Sequence, residues 1–486
     1  MIKHLIYMLV CILLALSISK DVLSASAGVF AAIGFIGLWR YSWALINFLR
    51  ATLYINHSFP KLRKNAVARF VQKDAIPQTF FLVTTYGIET DITSKVYRSI
   101  FAAAARSTTG ATIVSSVVDH SDVRLIRTLF QTMSCDMGRV ELIFDKIAGS
   151  GKRDALATSL RTIASFNPCE NDMVIFVDGD TCVPEDLIEQ IAPFFALNNV
   201  GALTTDELPD TQGDPAFQDW FSLRFAQRQM MMSSTGYGRR VLTLTGRMSA
   251  FRGDLASDES FIQTVETDYI DHWRLGRVNF LTGDDKSTWY WLLKNGYEML
   301  YLPDVKVSAI ETQPRDTFIS SAFVLMTRWF GNMLRNNSRA LKVPISKIGF
   351  FTWWSILDQR VSMWTTLTAP IGILLTSLFI EPMAIVAYIS WVMFTRYIFC
   401  ALITRFRDSW FPISYPFLLY FSQITGAAVK TFVFFRLDRQ KWTRQNTSFA
   451  QKVGLGARLK SFSSTLSHLV ALGWLTVGVA FLIHAV

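Results

Sequence analysis

The sequence predicts an α/β domain inserted between membrane-spanning helices. Hydrophobic residues make up 51% of the chain and charged residues only 18%, a balance that points to membrane segments. Uncharged apolar runs of bilayer-crossing length lie at both ends of the 486 residues. Between them, from residue 51 to about 345, short apolar runs (Phe80–Val83, Thr112–Val118, Met173–Val177) alternate with longer helical stretches. That alternation predicts a mostly parallel sheet covered by helices. The net charge of +10 fits a membrane protein with basic cytoplasmic edges. No basic–aromatic repeat or zinc spacing accompanies it, so nucleic acid is not expected as a partner. The five cysteines are scattered without a C-x-x-C pair and read as reduced packing residues.

Residues 1–50 form the first unit. Leu5–Ser19 is uncharged, Lys20-Asp21 follows, and Val22–Trp39 is a second uncharged run closed by Arg40. This predicts a helical hairpin in the bilayer. Ala25-Ser26-Ala27 fits a signal-peptide cleavage pattern, but Lys20 and Asp21 break the apolar region ahead of it.

Residues 51–345 form the second unit, and Met173–Pro184 is its most informative stretch. Five apolar residues end in Asp178-Gly179-Asp180, a buried strand bringing two carboxylates to a sheet edge. Alternate residues of a strand face opposite ways, so Gly179 is expected to turn the backbone and let both carboxylates converge on one divalent cation, Mg²⁺ or Mn²⁺. Phe80–Thr84 leads into Thr85-Tyr86 and then Glu89, and Thr112–Val118 ends in Asp119. Gly151-Lys152-Arg153 opens a helical stretch where backbone N–H groups and cations would meet phosphate. Gly283-Asp284-Asp285 opens another helix, and Arg328-Trp329 follows. Singly, each has a plainer explanation as a helix cap, a solvated face or a core ring. Their order within one domain between membrane spans does not.

The rest of the chain returns to the membrane. Residues 346–404 read as an interface helix and two spans, Val361–Ile380 and Pro382–Thr404. Residues 405–460 read as an interfacial helix and a basic loop. Residues 436–460 carry seven Lys or Arg against the single acid Asp438, so this loop is expected on the cytoplasmic side together with Arg405 and Arg407. Both loops lie inside only if Trp410–Phe435 rests along the interface. Residues 461–486 form a last uncharged span.

At these residues the chain resembles the processive family 2 glycosyltransferases, the cellulose, chitin and hyaluronan synthases, over roughly residues 1–460. Asp178 and Asp180 match the family's D-x-D, Gly283-Asp284-Asp285 its G-D-D, and Gly151-Lys152-Arg153 the G-K-R of hyaluronan and chitin synthases. Arg328-Trp329 matches the end of Q-x-x-R-W, with Leu325 where the family has Gln. Trp442-Thr443-Arg444 is similar to the W-G-T-R gating motif without its glycine. The runs LTGDDKSTWYWLLKNGYEMLYLPDV and TRWFGNMLRNNSRAL resemble the alginate-polymerising branch.

The resemblance implies a GT-A-type α/β cytoplasmic glycosyltransferase domain inserted between α-helical transmembrane segments, with amphipathic interface helices, in the bacterial inner membrane. It implies Asp285 as general base and Asp180, assisted by Asp178, as the divalent-cation site. Thr85, Glu89 and Asp119 would hold the nucleoside. Lys152, Arg153, Asp284 and Arg328 would face the donor, and Trp329 would stack on the acceptor sugar. Trp442, Thr443 and Arg444 would close over the diphosphate. Implied partners are a nucleotide-sugar donor, a growing polysaccharide, the lipid bilayer, a separate cyclic di-GMP-binding co-polymerase subunit and periplasmic export proteins. The implied donor is GDP-mannuronate.

Overall fold

The structure is a computed structural model that describes residues 2–73, 77–149, 151–407, 410–441 and 454–485. The domain is built on ten strands: β1 Thr79–Thr85, β2 Ala111–Val117, β3 Val140–Lys146, β4 Met173–Asp178, β5 Thr181–Cys182, β6 Val200–Gln212, β7 Met248–Arg252, β8 Tyr269–His272, β9 Gly276–Asn279 and β10 Glu298–Thr312. Eight form one sheet in the order β3-β2-β1-β4-β7-β6-β10-β5, and β8 and β9 form a separate hairpin. Strands β1, β2 and β4 are buried along almost their whole length because helices cover both faces.

The parallel run expected from the sequence holds over β3-β2-β1-β4 and again at β6-β10. β7 is antiparallel to both β4 and β6, so the sheet is mixed. Its hydrogen bonds continue past β4, where Asp178 N–H donates to the Arg247 carbonyl at 2.9 Å. Chain order reverses at β1: β2 and β3 lie to one side of it and β4 to the other. A crevice opens at the carboxyl ends of parallel strands where order reverses, so the ends of β1 and β4 are where a ligand is expected. Thr84 and Asp178 are register partners there.

Among the described residues, five helices are long and apolar enough to cross a membrane: Ala27–Lys73, Phe350–Phe379, Ala384–Phe406, Tyr415–Phe434 and Leu455–Ile483; Ile2–Leu16 is shorter. Large apolar side chains such as Phe35, Phe379, Trp474 and Phe481 stand exposed on them. On helices of this length such faces suit lipid.

Two boundaries differ from those expected. The second N-terminal helix does not end near residue 50 but continues through a π-helical turn, Tyr54–Ser58, into Phe59–Lys73. Tyr54 anchors that turn by donating to the Tyr301 carbonyl at 2.6 Å inside the domain. The stretch expected as an interface helix is divided: a single turn, Ile345–Ile348, precedes Gly349, and the rest belongs to Phe350–Phe379, one helix of 30 residues.

A second hydrophobic cluster joins the domain to these helices. It includes Trp220, Phe221, Leu325, Leu334, Leu419 and Val429, drawn from helices Pro215–Gly236, Phe318–Ala340 and Tyr415–Phe434. Tyr415–Phe434 follows the domain along its length: Ser414 Oγ donates to Asp219 at 2.5 Å, Trp220 Nε1 donates to Ser422 Oγ at 2.7 Å, and Lys430 lies 4.7 Å over the Phe330 ring.

Candidate active site

The acidic turn is held by three strands. Asp178 ends β4, the Asp180 carbonyl accepts from Ile310 N–H at 2.9 Å, and β5 then pairs antiparallel with β10. Gly179 is required for a different reason from the one the sequence suggests. Its φ is not in the left-handed region. A Cβ there would stand 2.5 Å from Ile88 Cδ1 and 2.6 Å from the Thr84 carbonyl, so close approach to β1 excludes any side chain.

Lys152, the first residue of helix Lys152–Ala164, joins two motifs more than a hundred residues apart. Its Nζ lies 2.5 Å from Asp178 Oδ1 and 3.3 Å from Asp284 Oδ2. Gly246 permits this approach, since a Cβ there would lie 3.2 Å from Asp178 Oδ2 and 3.3 Å from Lys152 Nζ. Gly283, with φ +88°, caps helix Asp284–Asn295, and a Cβ on it would meet Asn332 Cγ at 2.8 Å. Both acids then occupy the first helical turn, where the helix dipole favours negative charge.

The three carboxylates separate electrostatically. Burial and the neighbouring Asp180 and Asp284 push Asp178 up to about 6 although Lys152 opposes them. Burial would also raise Asp284, but Lys152 and Arg153 outweigh it and hold that carboxyl below its ordinary value. Burial and the adjacent Asp284 charge raise Asp285. Asp285 is half-buried, and among the described residues its carboxylate makes no hydrogen bond. Burial lowers the Lys286 ammonium to about 8 against the opposing charge of Asp285, and Lys286 donates to the Leu242 carbonyl. A half-buried carboxylate of raised proton affinity beside one kept ionised is an arrangement suited to general-base chemistry.

Several expected residues surround this centre. An open cleft of about 540 Å³ is lined by Thr85, Gly151, Lys152, Asp178 and Gly179 among others. Glu89 and Asp119 are exposed and follow the lining residues Ile88 and Val118. Asp119 is the N-cap of helix His120–Gln131 but makes no capping bond through its side chain. The Thr85 hydroxyl is engaged with Tyr97 Oη at 2.9 Å, so this side chain braces the strand end.

Arg153 turns away from the cleft. It donates to the Val265 carbonyl at 2.8 Å and to Ser287 Oγ at 2.9 Å, clamping helix Asp284–Asn295 instead of meeting phosphate. Trp329 is half-buried and stacked on Trp220 with ring centroids 5.8 Å apart. Asn332, three residues on, is on the same helix face and reaches Gly283, so this face of Phe318–Ala340 borders the acidic pair. Arg328, also half-buried, precedes it. Trp442, Thr443 and Arg444 lie outside the described residues.

Three contributors were not legible in the sequence. Gln440 Oε1 accepts from Leu281 N–H at 2.9 Å, and its Nε2 donates to the Asn279 carbonyl at 2.8 Å. Arg335 donates to Thr282 Oγ1 at 3.1 Å and to the Leu437 carbonyl at 3.3 Å. Thr282 in turn donates to Asn332 Oδ1 at 2.7 Å. Together they fasten residues 437–440 to the turn that carries Asp284 and Asp285. These pairs are remote in sequence, and no local motif marks them.

The donor set at the acidic turn is hard oxygen, which suits Mg²⁺ or Mn²⁺. Among the described residues no three His, Cys, Asp or Glu side chains gather as a metal cluster.

Residues 77–332 match the family described as glycosyltransferase like family 2. The chain is 39% identical over 421 residues to "Glycosyltransferase alg8" of Pseudomonas syringae pv. tomato, covering 86% of this chain and 85% of that one. It is 41% identical over 436 residues to "Glycosyltransferase alg8" of Azotobacter vinelandii, covering 89% and 86%. Among solved structures, the mannosyltransferase PcManGT from Pyrobaculum calidifontis, in complex with GDP-Man and Mn2+, aligns with 84% of this chain and 98% of its own at a TM-score of 0.48 and 16% identity. The chain belongs to the family 2 glycosyltransferases.

Proposed function

We propose that this glycosyltransferase polymerises GDP-mannuronate into β-1,4-linked polymannuronate at the inner membrane and helps move the product across it. The observation that carries the reading is Lys152 joining Asp178 to Asp284 beside Asp285, one centre from the two motifs that donor activation and acceptor activation need. The similarity to proteins named "Glycosyltransferase alg8" supports the alginate assignment.

The reaction is an inverting displacement at the donor's anomeric carbon. A divalent cation at Asp180 and Asp178, when bound, offsets the charge that develops on the leaving diphosphate. Thr85, Glu89 and Asp119 lie around the ends of β1 and β2, where a nucleoside would sit. Lys152, with Arg328, adds positive charge toward phosphate. Asp285 takes the proton from the acceptor hydroxyl as that oxygen attacks. Arg153 and Asp284 position Asp285, the first by clamping its helix and the second by raising its proton affinity. Trp329 stacks on the terminal sugar of the acceptor. The catalytic domain faces the cytoplasm, where the donor is made, and a separate cyclic di-GMP-binding subunit and periplasmic export proteins complete the system.

The test is an assay of membranes containing the chain with a panel of nucleotide sugars, reading the nucleotide released and the product size. GDP release with GDP-mannuronate and a product of many sugars is expected. Release with UDP-sugars alone overturns the donor, and a single sugar added to lipid overturns polymerisation.

A further inference from the structure

A cavity of about 460 Å³ lies among the apolar helices, apart from the acidic cleft. Its walls come from Ala27–Leu53, Phe350–Phe379, Ala384–Ile403 and Tyr415–Phe434, and helix Pro215–Gly236 of the transferase domain borders it. The ionisable lining is one-sided: Arg40, Arg224, Arg396 and Lys430 face it against the single acid Asp358. Arg40 is paired with Asp358. Among the described residues the other three cations have no carboxylate partner. Arg396 donates to Gln423 Oε1 at 2.8 Å and to Tyr41 Oη at 3.3 Å. Arg224 lies 4.3 Å over the Trp329 ring, and Lys430 lies 4.7 Å over Phe330.

Ionised side chains among membrane helices are costly, and they persist where they line a pathway or bind something of opposite charge. A passage for a neutral glycan needs stacking surfaces and hydroxyl partners but no surplus of cations. The partners of Arg396 are neutral, an amide, a phenol and the Thr395 hydroxyl at 3.0 Å, so its charge is not offset by an acid. The cavity also meets the proposed acceptor position, because Arg224 both lines it and covers Trp329.

We propose that Arg396 and Lys430 form a carboxylate-binding site in this cavity that reads the charge of the departing polymer, selecting a polyuronate over a neutral glycan. The inference rests on the reading that the chain makes an acidic polysaccharide. Each sugar acid entering the cavity neutralises a cation that the fold leaves unpaired, and the next repeat replaces it. The chain therefore advances between equivalent sites without ever leaving a buried charge uncompensated.

Two measurements on the full-length protein test this. The first uses inverted membrane vesicles supplied with GDP-mannuronate, comparing wild type with the double variant Arg396→Gln/Lys430→Gln. GDP release in the first turnovers reports transfer, and product protected from an added uronate lyase reports passage. Protected product is expected to fall roughly tenfold, the worth of one charge-assisted hydrogen bond, while early GDP release is retained. Arg396→Lys should restore part of the passage, because it keeps the charge. The second measures binding of an oligomannuronate and of a neutral β-1,4-mannan oligosaccharide of equal length to the purified chain at low and high salt. A salt-sensitive preference for the oligouronate, lost in the double variant, is expected. Equal binding of the two, binding of neither, or an unchanged preference in the double variant overturns the proposal. Should wild type fail to consume GDP-mannuronate, the functional reading falls, and the binding preference still decides whether the cavity reads charge.

Discussion

Asp284 and Asp285 are neighbours in sequence yet differ in proton affinity, because Lys152 and Arg153 face only the first of them closely enough to outweigh burial. The carboxylate with raised affinity is the better base, so Asp285→Asn should keep donor binding and lose transfer by on the order of 10²–10⁴-fold, measured as nucleotide binding against sugar incorporation. An inactive Asp284→Asn beside a nearly normal Asp285→Asn would reverse the assignment. Asp285 must be ionised to act, and its carboxyl titrates above the ordinary range. Transfer should therefore decline as pH falls through that raised midpoint and recover as pH rises, and Asp285→Asn should abolish this limb of the profile. Asp180→Asn should stop synthesis while the protein remains folded and inserted, because it removes a charge from a sheet edge and not from the core. EDTA should have the same effect on wild type, reversed by Mg²⁺ or Mn²⁺, and unchanged synthesis in Asp180→Asn membranes would remove the cation from this turn. At this scale the acids were legible from spacing and strand ends. The physical role of their neighbours was not. Gly179 does sit in the turn, but close packing against β1 and not a left-handed backbone is what requires a glycine there, and Arg153, read as a phosphate contact, clamps the helix that carries Asp285. Sequence gives residue type and order, whereas both of these roles depend on which backbone lies a few ångströms away.

The elements explain why distant motifs share one cleft. Strand order places β1 beside β4, and helix Lys152–Ala164 begins where Lys152 can reach both carboxylate motifs. Apolar runs predicted β1, β2 and β4 well, since each is buried on both faces. They did not reveal that β7 runs antiparallel between β4 and β6, because an apolar strand reads alike in either direction. Nor did they reveal the attachment of residues 437–440 to the acidic turn. Gln440 holds Asn279 and Leu281 through opposite ends of one amide, directly before the segment expected to gate the site. Gln440→Ala removes both bonds, and with each worth about 1 kcal/mol a fall in turnover of roughly tenfold or more is expected at a normal membrane level. The effect should appear in kcat more than in donor KM, since the amide positions the segment and does not bind the nucleotide. An unchanged kcat would leave residues 436–441 as a basic anchor alone.

At the scale of the whole molecule, hydropathy and charge conflict over Tyr415–Phe434. It is long and apolar enough to cross a bilayer, yet the charge rule expects the basic stretch 436–460 on the same side as Arg405 and Arg407. Its contacts favour the charge rule. Ser414, just before the helix, donates to Asp219, and Leu437 and Gln440, just after it, meet Arg335 and the backbone of Asn279 and Leu281. A helix with both ends on the same domain, and with Trp220 and Phe330 against its middle, would lie along the interface. The final helix begins on that side too, since Lys460 Nζ donates to the Leu275 carbonyl at 2.9 Å and Arg274 donates to Ser464 Oγ at 2.6 Å. Gly454, just before this helix, therefore belongs with the catalytic domain. A cysteine introduced there should escape a membrane-impermeant thiol reagent in intact spheroplasts and react after lysis, measured in a variant lacking the five native cysteines. Labelling in intact spheroplasts would mean that Tyr415–Phe434 crosses the bilayer, and the cation-lined cavity would then be bounded by a spanning helix in place of an interfacial one.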